Sequence, residues 1–92
     1  LGLMEEGTPE WARALYLHSM AGWQSLPPSR GRIEDAREAF HYLAEKAPAS
    51  TYAPMALRNL GRMAELRTYP GDVMDTEKAR DYYQRVLEGW PG

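Results

Sequence analysis

The chain should fold as an all-α protein: four antiparallel helices forming two helix-turn-helix repeats, a short segment of α-solenoid. Three observations point there. The pattern Ala36-x3-Phe40-x7-Pro48 returns 43 residues later as Ala79-x3-Tyr83-x7-Pro91, and recurrence at such a period marks stacked helical units. Apolar residues recur at intervals of three and four through four separate segments. No segment alternates with period two over a useful length, so no strand is expected.

The first helix is expected to start at Thr8-Pro9-Glu10, a cap, a proline with no N–H to lose and an acid at the positive helix end, and to run to about Leu26 before Pro27-Pro28. The second covers Ile33 to Ala47, with Ala36, Ala39, Phe40, Leu43, Ala44 and Ala47 on one face. The third runs from Thr51 to Arg67 with Ser50 as cap. Its inner face is Ala53, Ala56, Leu57, Leu60, Gly61 and Ala64, and Pro54 is tolerated in the first turn. The fourth covers Thr76 to Trp90, capped by Asp75 or Thr76, with Ala79, Tyr82, Tyr83, Val86, Leu87 and Trp90 inward. Breakers separate them at residues 27–31, 47–50 and 68–72.

The 92 residues form a single domain, with repeat 1 at about residues 9–48 and repeat 2 at about 50–91. Net charge is -2 with the signs interspersed, which argues against nucleic acid as partner, since phosphate binding needs a concentrated positive face. No run of apolar residues is long enough to span a membrane. The lack of cysteine excludes disulfides and thiolate chemistry but leaves the compartment open. Because Leu1 replaces an initiator Met and the pattern would hand over to another unit after Pro91-Gly92, the chain reads as an excerpt of a larger array or as a partner-supported part of one.

These residues resemble the tetratricopeptide repeat, whose signature is W-x2-L-G-x2-Y, then A-x3-F, then P. Leu57-x2-Leu60-Gly61-x2-Ala64 is similar to its first part, and Ala79-x3-Tyr83 with Pro91 to the rest. The 43-residue offset exceeds the usual period of about 34, and the excess is placed in the links at residues 26–32 and 69–75. The first repeat offers only Ala14-x2-Leu17-His18-x2-Ala21, with His18 where glycine would stand. The run from Pro48 to Gly61 is also similar to repeats of bacterial cell-envelope proteins, the outer-membrane assembly lipoproteins and Tol-Pal coordinators. That resemblance implies a periplasmic or envelope location rather than the cytoplasm.

No nucleophile is paired with a base, so no enzyme is expected. His41 should sit on a solvent face between Arg37 and Glu45, and His18 inside the packing of the first helix. Glu34 and Asp35 complement a helix N-terminus. Asp72-x2-Asp75-x-Glu77 lacks the calcium-loop spacing and its glycine, so no metal or other cofactor is expected. One candidate surface is Arg58, Asn59, Arg62 and Glu65 on the outer side of the third helix. The resemblance implies that this side lines a groove, where two guanidiniums one turn apart can clamp a peptide carboxylate. A second is the aromatic set Trp11, Trp23, Tyr82, Tyr83 and Trp90, which if uncovered would form an adhesive patch.

The expected role is therefore a non-catalytic protein-protein interaction scaffold or adaptor within a larger assembly. The alternative is a permanently bound structural subunit of a membrane-associated or multi-subunit complex. Two units fall short of the three or more that repeat arrays usually need, so flanking chain or a partner should supply further burial.

Overall fold

The computed structural model describes residues 5–24, 27, 29–66 and 71–90. They form α1 (Pro9–Trp23), α2 (Arg30–Lys46), α3 (Tyr52–Glu65) and α4 (Thr76–Gly89), with no strand among the described residues. The all-α fold of two helical hairpins is thus the one the periodicity predicts. The expected stops at Pro28, Pro70 and Pro91, and the link residues Leu26 and Tyr69, lie outside the described residues.

Each helix start has a visible cause. Thr8 Oγ1 accepts from Trp11 N at 3.3 Å and Pro9 occupies the first turn. Ser29 Oγ accepts from Arg32 N at 3.4 Å, which begins α2 one turn earlier than the apolar face alone predicts. Asp75 Oδ1 accepts from Lys78 N at 3.0 Å. At α3 the cap residue is Thr51, which makes no side-chain cap bond, while Ser50 Oγ accepts from Tyr52 N at 3.0 Å. Such bonds satisfy first-turn N–H groups that have no partner within the helix. α1 ends at Trp23 with Gln24 as its C-cap and α3 at Glu65 with Leu66, while the expected ends Leu26 and Arg67 lie outside the described residues.

The helices lie in a flat array with extents of 36 × 31 × 15 Å. Each packs on its neighbour in sequence, α3 also touches α1, and α2 and α4 do not pack on one another. One core joins all four. Ile33, Phe40 and Leu43 of α2 and Leu57 and Met63 of α3 are fully enclosed, flanked by Trp11, Ala12 and Leu15 of α1 and Val86 of α4. Alanines at positions 36, 53 and 56 allow the close helix approach. Of the six inward residues expected on α4, Leu87 is instead 71% exposed. α4 packs its length only on α3, through the edge carrying Ala79, Tyr83 and Val86, and Leu87 lies beyond that edge.

Between α3 and α4 the chain turns at Gly71, whose φ of +91° favours glycine. It then runs without regular structure to Asp75, whose N–H donates to Ala64 O at 2.7 Å.

Candidate functional site

Of the four candidates on α3, Arg58 and Arg62 are exposed. With Met55, 38% exposed, and Leu66 at the helix cap, 51% exposed, they form a solvent-facing stripe of two cationic groups flanked by two apolar ones. Among the described residues neither arginine has a carboxylate within salt-bridge distance. Asn59 has another task. Its Nδ2 donates to Tyr16 Oη at 3.1 Å and approaches Met20 Sδ at 3.3 Å, tying α3 to α1. Glu65 Oε2 accepts from Tyr83 Oη at 3.1 Å, and burial together with that bond pushes the Tyr83 phenol up in pKa. The stripe therefore presents two guanidiniums with polar neighbours already engaged.

The five aromatic candidates do not gather into one patch. Trp11 is buried and meets Tyr42 edge-on at 5.9 Å between ring centres. Trp23 stands edge-on to Phe40 at 6.3 Å. Tyr83 lies against Gly61 of α3, and Trp90 Nε1 donates to Pro48 O at 3.2 Å. Tyr82 Oη pairs with His41 Nε2 at 2.7 Å. Each ring secures one element to another, so these aromatics act first as internal staples.

The sequence reading missed a recess of about 690 Å³ between α2 and α4, on the side of α3 that carries Leu60 and Ala64. Its walls include Arg37, Glu38 and His41 of α2, Asp72 and Val73 of the connection, and Lys78 and Tyr82 of α4. The one signal for it was the long repeat offset, whose excess was placed partly in the link at residues 69–75, and residues 71–73 and 75 of that link line the recess. Asp72 is buried there. Its carboxylate accepts from Arg37 Nη2 at 3.0 Å and from Val73 N at 2.9 Å, while Arg37 also pairs with Glu34. Asp72 thus anchors the connection to α2. Arg37→Met removes the guanidinium that donates to the buried Asp72 carboxylate, so the expected loss of unfolding free energy is about 1–3 kcal/mol, read by urea denaturation.

His41 departs from expectation: it is half-buried against Tyr82, because Tyr82 reaches across the recess to it. Burial lowers its pKa below the ordinary 6.5, the positive charges of Arg85 and Lys78 push the same way, and Glu45 opposes them. The folded chain consequently binds this proton less readily than the unfolded chain. The stability tied to neutral His41 is complete above the ordinary value and falls as pH drops below it. His18, expected inside, is exposed, and it borders a second recess of about 320 Å³ between α1 and α2 with Ser19, Gly22, Arg32 and Asp35.

Among the described residues no group of three or more His, Cys, Asp or Glu side chains is arranged to hold a metal ion, and no helix is long and apolar enough to cross a membrane. Comparison with protein-family models, with curated proteins and with solved structures found no match to this chain.

Proposed function

We propose that the chain is a tetratricopeptide-like interaction module, an adaptor that binds an acidic segment of a partner protein along the outer face of α3. The observation that supports this reading best is the stripe Met55, Arg58, Arg62 and Leu66, in which two guanidiniums one turn apart, with no carboxylate in salt-bridge distance among the described residues, are bracketed by exposed apolar groups. Guanidiniums so spaced suit a carboxylate, and the flanking methionine and leucine suit the apolar part of the same segment. The module is non-catalytic in this reading, and the envelope location remains an inference from the run Pro48 to Gly61.

A second reading, a permanently bound structural subunit, draws on a different feature. Val73 and Met74, side by side at the recess mouth, are 77% and 51% exposed, and exposed apolar groups of this kind suit a constitutive interface. Affinity capture with the chain and with an Arg58→Glu, Arg62→Glu variant separates the two. An adaptor loses its partner, with affinity about tenfold or more weaker on charge reversal. Retention by that variant, with loss on Val73→Ser, Met74→Ser, identifies the built-in subunit.

A further inference from the structure

The recess between α2 and α4 has walls of opposite sign. Arg37 meets Asp72 just before α4 begins and His41 meets Tyr82 further along, so the two helices run in the same direction with these contacts at matching heights. Around that frame α2 carries Glu38 and Glu45, and α4 carries Lys78 and Arg85. Glu38 and Lys78 line the recess from opposite walls, each about one turn before the His41–Tyr82 contact. Glu45 and Arg85 follow that contact by about one turn, close enough to His41 to act on its charge. All four are exposed, and none has an ion-pair partner among the described residues. Arg37, the cation beside Glu38, is engaged by Asp72 and Glu34. One wall thus offers two carboxylates and the other two cations at the same two heights, and neither pair closes across the gap. At the Asp72 end Val73 and Met74 stand bare, and the floor is Leu60 and Ala64 of α3.

We propose that this face is covered by a second copy of the chain, in a two-fold dimer whose axis runs along the recess. Such an axis keeps every residue at its own height and sets α2 of each chain over α4 of the other. Glu38 then meets the partner's Lys78, Glu45 meets the partner's Arg85, and both reciprocal pairs form with them. Val73 and Met74, in the connection between the two walls, lie near the axis and pack on their own mates, which removes from water apolar groups that a lone chain leaves bare. The broad face of the array, 36 × 31 Å, can supply the roughly 800 Å² per partner that a stable interface takes. Arg58 and Arg62 each precede a floor residue by two positions, about 200° round α3, so the dimer leaves that stripe free. In the adaptor reading it carries two stripes, and a partner with two acidic segments is held by avidity.

Sedimentation equilibrium across a dilution series tests the dimer, and the parent chain should reach twice its own mass. Glu38→Lys, Glu45→Lys makes both walls basic, and Lys78→Glu, Arg85→Glu makes both acidic. Each should self-associate about tenfold or more weakly than the parent. Mixed one to one, they should regain the dimer, because every like-charge contact becomes an opposite one. Arg58→Glu, Arg62→Glu should dimerise as the parent does, which separates this inference from the α3 reading. In the parent alone, amide shifts that move with concentration should centre on Glu38, Val73 and Lys78, a readout that needs no variant. A parent that stays monomeric, reversed chains that dimerise as the parent does, a mixture that stays monomeric, or concentration-dependent shifts centred on α1 would overturn the proposal.

Discussion

Phe40→Ala should lower the unfolding free energy by about 3–5 kcal/mol, the usual cost of emptying a large buried aromatic site. Phe40 has no solvent exposure and receives the rings of Tyr16 at 5.9 Å and Trp23 at 6.3 Å. Both rings belong to α1, so the cavity opens where the first hairpin is stitched together. A domain of this size has roughly 5–14 kcal/mol of stability in all, and the variant should be near its unfolding midpoint at modest urea. Equilibrium denaturation followed by circular dichroism measures the loss. A cost below about 1 kcal/mol would show that Phe40 does not occupy the centre of the core.

Gly61→Ala should be destabilising by about 1–2 kcal/mol, although alanine is intrinsically the better helix former by about 0.5–1 kcal/mol. A Cβ on Gly61 would lie 2.6 Å from Tyr83 Cε1 and 2.9 Å from Cζ. The ring must then withdraw from α3, and its hydroxyl leaves Glu65. Removing the ring first reverses the sign. In a Tyr83→Ala background, Gly61→Ala should stabilise the protein by the helix-propensity gain alone. The double-mutant cycle therefore reads out the α3/α4 contact itself. Equal effects in both backgrounds would mean that Tyr83 does not lie over Gly61.

Gly61 also illustrates what could be read in advance. Its place in Leu57-x2-Leu60-Gly61 signals close helix approach, and the structure supplies the approaching group. The helices were legible because their causes are local: caps at Thr8 and Asp75, and apolar intervals through Ala36, Phe40 and Leu43. What sequence could not supply is which neighbour each face meets. Leu87 matches the inward spacing of α4 yet faces solvent, because α4 has a neighbour on one side only. His41 matches a surface spacing yet is half-buried, because Tyr82 comes from a helix 41 positions away to cover it. Asn59 looked like part of a binding face, and its amide is committed to Tyr16. The recess is lined in part by the connection through Asp72, whose anchoring to Arg37 has no sequence signature beyond the opposite charges.

The recognition role assigned to α3 is tested most directly by NMR. The isotope-labelled chain is titrated with an acidic peptide bearing a free terminal carboxylate, and then with the same peptide amidated. Amide shifts confined to the neighbourhood of Met55, Arg58, Arg62 and Leu66, weaker for the amidated peptide and absent in Arg58→Glu, Arg62→Glu, are the expected result. Shifts centred instead on Val73, Lys78 and Tyr82, or shifts that survive the charge reversal, would contradict it and move recognition to the recess between α2 and α4.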